Sequence, residues 1–156
     1  MTQNVKPILY RIRPSRPEAH IFEVELTVRE PNASGQRFSL PAWIPGSYMI
    51  REFARNIVTI RARCGDDPVA LKKIDKHTWQ ASPCAGPITL SYEVYAWDLS
   101  VRGAHFDANH AFFNGTSVFL AVQGQEASPC VVTIERPIGT AYRNWRIATE
   151  LPVAGA

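Results

Sequence analysis

The chain of 156 residues has no long hydrophobic run. Its longest uninterrupted apolar stretch, residues 118–122, is far shorter than the ~20 residues that cross a bilayer. At the N-terminus only residues 8–10 are consecutively apolar, where a secretory signal needs about 7–15. These absences predict a soluble protein without a membrane partner. We expect it in the cytoplasm, or in the periplasm if Met1 is not the native start.

Cysteine is also scarce. Cys64, Cys84 and Cys130 show no Cys-x-x-Cys spacing and no spacing to histidine that is typical of a zinc site. Their odd number predicts reduced, structural thiols. A catalytic thiol at Cys64 is disfavoured, because strand alternation places Arg61 and Arg63 on the opposite face.

Several functional signatures are missing. The sequence contains no Gly-x-Ser-x-Gly elbow, phosphate-binding glycine loop, dinucleotide fingerprint or His-Glu-x-x-His motif. The net charge of +3 is spread along the chain, so it forms no basic stripe of the kind that binds nucleic acid. We therefore predict no nucleic-acid partner and no catalytic residue, and we expect the chain alone to be inactive.

What the sequence does contain is period-2 alternation of apolar and polar residues, the pattern of half-buried strands. It is clearest in residues 20–30, 56–64 and 87–97. Shorter candidate strands are residues 8–13, 37–42, 68–74, 78–81, 117–122, 130–135 and 145–149. Clusters of Gly, Pro, Asn and Asp separate them, and 12 prolines disfavour a helical bundle.

This pattern predicts an all-β fold, an antiparallel β-sandwich with at most one short helix, at residues 48–55. We assign residues 1–150 to the sandwich and residues 151–156 to the start of an inter-domain exit. In residues 87–97 the predicted inward side chains are Ile88, Leu90, Tyr92, Val94 and Ala96. In residues 56–64 they are Val58, Ile60, Ala62 and Cys64.

Residues 40–56 form an unusual loop, LPAWIPGSYMIREFARN. Pro45 and Gly46 fit the central positions of a type II turn. Two interpretations of the loop remain open. It is either a hairpin connection with a hydrophobic plug, or the wall of a substrate cleft to which Tyr48 and Arg51 contribute a phenol and a positive charge.

Residues 99–114 form a second candidate loop. It contains His105, Asp107 and His110, but three possible ligands without two closely spaced pairs are weak support for zinc, so we predict no metal in this chain. We expect the loop to present Arg102 and His105 to a neighbour or ligand. Asn114 begins a tight turn that leads into the strand predicted at residues 117–122.

Four long strings occur in order along the chain: LPAWIPGSYMIREFARNI, KIDKHTWQ, YEVYAWDLSVRGAHFD and AFFNGTSVFLAV. Together they resemble the N-terminal domain of the glycyl aminopeptidase family of zinc metallopeptidases. The resemblance implies a β-sandwich followed by a thermolysin-like catalytic domain and often a PDZ-like domain. Such enzymes are expected to remove small N-terminal residues, chiefly glycine or alanine, from peptides.

The resemblance implies no cofactor in this chain, with zinc bound by the catalytic domain that would follow. The implied partners are that catalytic domain and the peptide substrate of the parent enzyme. We expect the chain to pack on the catalytic domain and to help shape its cleft. The candidate cleft or interface residues are Tyr48, Arg51, Arg102, His105 and Asn114.

Two other functions remain open. One is an autonomous β-sandwich module that binds peptide or carbohydrate through Trp43, Tyr48, Tyr95 and Trp97, since exposed aromatic side chains indicate an interface. The other is an enzyme that uses His105, Asp107 and His110.

Overall fold

The computed structural model describes residues 6–155. Its strands are β1 (Ile8–Arg16), β2 (Ile21–Val28), β3 (Arg37–Ser39), β4 (Ile57–Cys64), β5 (Asp67–Val69), β6 (Leu71–Lys73), β7 (Thr78–Ala81), β8 (Ile88–Tyr95), β9 (Ala104–Phe106), β10 (Ala111–Phe113), β11 (Ala121–Val122) and β12 (Cys130–Ile134). One short α-helix, α1, spans Gly115–Val118. Three 3-10 turns lie at Pro17–Ala19, Phe53–Asn56 and Thr140–Tyr142.

The strands form two main sheets and a hairpin. The larger sheet has the order β12-β1-β2-β8-β4-β5, and the smaller has the order β11-β3-β7-β6. Strands β9 and β10 pair with each other as a separate hairpin. The pairing is antiparallel except between β1 and β12, which run parallel. The predicted all-β sandwich with at most one short helix is confirmed, although the helix lies elsewhere than predicted.

The core lies between the two sheets, and β8 shows how alternation builds it. Its inward side chains at Ile88, Leu90 and Val94 are at most 1% exposed, as the sequence predicts. They belong to one hydrophobic cluster with Phe38 and Trp79 from the smaller sheet. Burial of each such side chain stabilises the fold by about 1.5–3 kcal/mol.

Two buried tyrosines tie the larger sheet to the segment around α1. The Tyr10 hydroxyl donates to the Leu120 carbonyl at 2.7 Å, and the Tyr92 hydroxyl donates to the Val118 carbonyl at 2.8 Å. The Leu120 N–H donates back to the Tyr92 oxygen at 3.2 Å. Burial raises the pKa of both phenols well above the ordinary value. These hydroxyls satisfy backbone groups that the sheets leave unpaired.

The prediction of three reduced thiols is wrong for two of them. Cys64 and Cys84 form a disulfide with a Cα–Cα distance of 6.0 Å, within the usual range. Cys64 ends β4 opposite Ile88 on β8, and the turn before β8 brings Cys84 alongside. Sequence spacing could not reveal this pair, because the pairing of β4 with β8 creates it. Cys130 is free and exposed.

Several element predictions are corrected. Residues 145–149 form no strand, and the strand predicted at 117–122 is replaced by α1 and the two-residue β11. Asn114 explains why α1 replaces the start of the strand predicted at 117–122, because its side chain accepts the Thr116 N–H at 3.1 Å and caps the helix. The strand predicted at 68–74 is divided into β5 and β6.

The helix predicted at 48–55 is also wrong. Only the 3-10 turn at Phe53–Asn56 forms there, preceded by Glu52 in a left-handed conformation with φ 52°. At the start of β4, Val58 is 58% exposed instead of buried. A register shift between Ile57 and Thr59 explains this exposure. The β-bulge there inserts one extra residue into β4, so the regular alternation of inward and outward side chains does not hold at Val58.

Candidate functional site

The loop between β3 and the Phe53–Asn56 turn contains the predicted tight turn. Gly46 has φ 82°, and the Ser47 N–H donates to the Ile44 carbonyl at 3.2 Å, as a type II turn requires. The Trp43 indole Nε1 donates to the Ser47 carbonyl at 2.8 Å. The indole therefore closes the turn from one side.

Ser47 holds the rest of this loop together. It is only 8% exposed, and its hydroxyl donates to the Met49 carbonyl at 2.8 Å while accepting from Arg51 Nε at 3.3 Å. The N–H groups of Arg51 and Glu52 both donate to the Ala42 carbonyl, at 2.7 and 3.2 Å. These bonds close the base of the loop and fix its conformation.

A second loop follows β8 and is built around Asp98. The Asp98 Oδ1 atom accepts the Ser100 N–H at 2.8 Å, and the Asp98 N–H donates to the Ala104 carbonyl at 2.9 Å. A Cβ atom at Gly103 would lie 2.6 Å from Asp98 Oδ2, so the close approach of backbone and carboxylate requires glycine here.

Two arginines connect the loops. Arg102 Nη2 donates to the Gly46 carbonyl at 2.7 Å, and Arg51 Nη1 lies 3.8 Å from Asp98 Oδ2. Asn114 completes the arrangement, since its Nδ2 donates to the Val101 carbonyl at 3.4 Å. Both loops are thus fixed relative to each other at one end of the sandwich.

The two linked loops leave large apolar side chains in water. We call this set the loop face; it consists of Trp43, Tyr48, Met49, Ile50, Leu99 and Val101. Their exposure ranges from 46% at Trp43 to full exposure at Tyr48. Large apolar side chains exposed together on two linked loops indicate an interaction surface.

The structure brings four of the five predicted site residues into this arrangement. Tyr48 is at its tip, Arg51 and Arg102 brace it, and Asn114 supports the second loop. The expectation that a loop presents His105 is wrong. His105 lies in β9, is 3% exposed and pairs with Phe112, because residues 99–114 contain a hairpin.

His105 instead belongs to a series of stacked rings. Its imidazole lies 4.7 Å from the Trp97 ring and 4.9 Å from the His110 ring, measured between centroids. Trp97 is also 3.9 Å from the His20 ring. Sequence reasoning missed the bracing roles of Ser47 and Asp98. For Asp98, the spacing Asp98-x-Ser100 indicates an Asx turn and could have revealed its role.

Comparison with known families decides what this domain is. A family model described as Peptidase M61 N-terminal domain matches residues 9–156. The chain belongs to the Peptidase M61 N-terminal domain family. Comparison with curated proteins gives no match.

Solved structures of two peptidases are similar to this chain. An aminopeptidase N family protein from Idiomarina loihiensis is 43% identical with a TM-score of 0.81, over 83% of this chain and 22% of that one. An M1 zinc metallopeptidase from Deinococcus radiodurans is 12% identical with a TM-score of 0.51, over 85% of this chain and 31% of that one. The second likeness shows the fold alone. The M61 chain thus spans less than a third of either structure.

Among residues 6–155, no helix has the length and apolar character needed to cross a membrane.

Proposed function

We propose that this M61 chain is the non-catalytic N-terminal domain of a glycyl aminopeptidase. In this proposal it packs on a zinc-binding catalytic domain through the loop face and helps shape the substrate cleft. The single observation that carries the proposal is the loop face itself, which exposes apolar side chains on loops that are internally braced.

The exposure of these apolar side chains to water supports the presence of a partner that covers them. Tyr48, Met49 and Ile50 are each at least 60% exposed, and burial of such side chains stabilises a complex by about 1.5–3 kcal/mol each before ordering costs. The bonds from Ser47 and Arg102 fix the loops beforehand, so little conformational entropy remains to be lost on docking. A flexible linker would need none of this bracing.

The lengths of related proteins support a covalent partner. The Idiomarina protein, in which this chain's counterpart is 22% of the whole, contains more than three quarters of its chain beyond the matched part. In the proposed parent, zinc in the catalytic domain polarises the peptide carbonyl and activates water. The peptide substrate would lie at the junction of the two domains.

The bracing supports different proposed roles for the candidate residues. Tyr48 is fully exposed, so it is the candidate for direct contact with the catalytic domain or the peptide. The guanidinium groups of Arg51 and Arg102 already bind within the loops, to Ser47 and Gly46. They are therefore proposed as positioning residues that hold Tyr48 in place.

The test uses the full-length parent with Tyr48, Met49 and Ile50 all changed to alanine. We expect kcat/KM for a glycyl aryl amide to fall about ten- to hundredfold, since small displacements at a cleft have effects of this size. Ile138→Ala is the matched control, because Ile138 is 74% exposed but lies outside the loop face. Equal kinetics for the triple variant and the control would contradict the proposal.

The alternative of a free-standing peptide or carbohydrate module has weaker support. Tyr95 and Trp97 are 42% and 53% exposed, as that module needs. However, Trp97 stacks against His20 and His105, and the Trp43 N–H is bonded to the Ser47 carbonyl. These rings are used within the domain, so less of them is left for a ligand.

The disulfide bears on where the domain works. Disulfides persist mainly in oxidising compartments such as the periplasm and are rare in the cytosol. We therefore propose an oxidising compartment in preference to the cytoplasm expected from sequence. Alkylation of freshly lysed cells without reductant should modify Cys130 alone, and modification of Cys64 and Cys84 as well would return the domain to the cytoplasm.

A further inference from the structure

Three potential metal ligands meet at the turn between β9 and β10. His105 lies on β9, Asp107 directly follows that strand, and His110 directly precedes β10. One ligand atom from each side chain lies within 4.8 Å of those from the other two. The hairpin therefore gathers two imidazoles and one carboxylate in one place, apart from the loop face.

His105 is the buried member of this group and has an unmet bonding requirement. The residue is 3% exposed, and within residues 6–155 its Nδ1 atom has no hydrogen-bond partner. A buried polar atom left without a partner destabilises a fold, so such atoms often mark a missing ligand. Stacking on Trp97 and His110 fixes the orientation of the ring.

Asp107 is held as a carboxylate beside the two imidazoles. Its Oδ1 atom accepts the N–H groups of Asn109 and His110 at 2.7 and 2.9 Å, and it lies 3.4 Å from His110 Nδ1. A carboxylate has about four lone-pair sites, so capacity for a further ligand remains.

We propose that His105, Asp107 and His110 form a binding site for a divalent transition-metal ion, with Zn²⁺ as the ion that suits them best. Two imidazoles and one carboxylate are a known zinc donor set, whereas Mg²⁺ and Ca²⁺ prefer oxygen ligands alone. The fourth position is open to water. No catalytic step is assigned to the ion, and its effect is to fix the hairpin turn.

Binding requires a small closure of the site. Zinc–nitrogen bonds of about 2.0–2.1 Å in a tetrahedron place ligand atoms roughly 3.4 Å apart. The ligand atoms lie within 4.8 Å of one another, so they must approach by at most about 1.4 Å. The Asp107 Oδ1 and His110 Nδ1 atoms are already 3.4 Å apart, and the His110 side chain, 54% exposed at the turn, can rotate out of its stack with His105 so that both imidazoles point at the ion. The buried imidazole thus supplies the fixed part of the site.

The sequence did not predict this site, because three ligands within six residues lack the two closely spaced pairs of a typical zinc motif. The decisive facts are the burial of His105 and the position of His110 beside it. Both arise from the pairing of β9 with β10 and with Trp97.

The test is a calorimetric titration of the untagged, chelator-treated protein with Zn²⁺. We expect one equivalent of Zn²⁺ to bind. Loss of an outer-sphere partner typically weakens metal binding by about 10–100-fold, and we expect His110→Gln and Asp107→Asn to weaken it by more than that. His77→Gln is the matched control, since His77 is an exposed histidine 3.9 Å from Asp75 without a third ligand. That variant should bind as the wild type does.

The His110 variant keeps the test independent of folding, because His110 is exposed whereas His105 is in the core. In a longer parent with its own zinc, the wild type should hold one more equivalent than His110→Gln. Co²⁺ should give a visible spectrum that His110→Gln loses and His77→Gln retains. Equal zinc affinity and stoichiometry in the wild type and His110→Gln would overturn the proposal.

Discussion

The loop face and the outer face of the larger sheet are both exposed, but their chemistry differs. The outer face, which we call the ionic face, carries Arg11, Arg13, Arg16, Glu23, Glu25, Glu93 and Glu135. Arg11 lies 2.7 Å from Glu135 and 3.0 Å from Glu25, and Arg16 lies 2.5 Å from Glu93. The loop face exposes Tyr48, Met49 and Ile50 instead.

This difference separates a surface suited to water from one suited to a partner. On the ionic face the charges are paired with one another and remain hydrated, so the face is complete without a partner. On the loop face the polar groups of Ser47, Arg51 and Arg102 point into the loops and the apolar groups point outward. The polar atoms of the loop face hold the loops in place, and its exposed apolar side chains form the surface that we propose for docking.

The largest effect is expected from removing a buried hydroxyl that ties the larger sheet to the segment around α1. Tyr92→Phe deletes the hydroxyl that binds the Val118 carbonyl and the Leu120 N–H, leaving two buried backbone groups unpaired. Since each unpaired group costs about 1–3 kcal/mol, we expect a loss of about 2–6 kcal/mol in the free energy of unfolding. Urea denaturation measures it.

Tyr95→Phe is the matched control for that variant. Tyr95 lies on the same strand but is 42% exposed, so its change should leave stability within about 0.5 kcal/mol. Equal effects of the two substitutions would show that the buried hydroxyl does not support the segment around α1.

The two buried tyrosines, Tyr10 and Tyr92, also predict that the fold is sensitive to alkali. Burial raises the pKa of Tyr10 and Tyr92 above the unfolded value of about 10, so the folded state keeps both phenols protonated. Their contribution to stability is fully present below pH ~10 and is lost as the pH rises above it. In a spectrophotometric titration two phenols should ionise only on unfolding. Ionisation of all the tyrosines near pH 10 in the folded protein would contradict this.

A smaller effect is expected from loosening the loop face itself. Arg102→Ala removes the bond to the Gly46 carbonyl, which should cost about 1 kcal/mol and speed hydrogen exchange at the Ser47 and Arg51 amides. Arg61→Ala, on the exposed side of β4, should leave both properties unchanged. Unaltered exchange at Ser47 in the Arg102 variant would show that the two loops are independent.

The smallest effect is expected on the ionic face. Glu23→Gln breaks an ion pair with Arg13, which is only partly buried. Exposed pairs contribute about 0–1 kcal/mol and are screened by salt, so the loss should be small and should shrink further in about 1 M salt. A loss as large as that of Tyr92→Phe would remove the distinction between the two faces.

Sequence alternation predicted the parts of the fold that depend on one strand at a time. The inward residues of β8 and the turn at Gly46 were correct, because each follows from local geometry. Parts that depend on distant pairing were missed: the disulfide between Cys64 and Cys84, the parallel contact of β1 with β12 and the β9–β10 hairpin that buries His105.

The candidate site followed the same rule. Tyr48, Arg51, Arg102 and Asn114 were predicted from loop composition and lie together in the structure. The sequence could not show that Arg102 binds the Gly46 carbonyl, because 56 residues separate them and the two loops meet only through the fold.

The most direct test of the central claim is whether Tyr48 is covered in the full-length parent. Cysteine is placed at Tyr48 or, as a reference, at Ser91, an exposed position on the ionic face, in a Cys130→Ser background. We predict that, in the folded parent, the Tyr48→Cys thiol reacts with a maleimide at least about tenfold more slowly than the Ser91→Cys thiol, because buried thiols are inert. Equal rates would show that the loop face remains in water and that the catalytic domain does not dock on it.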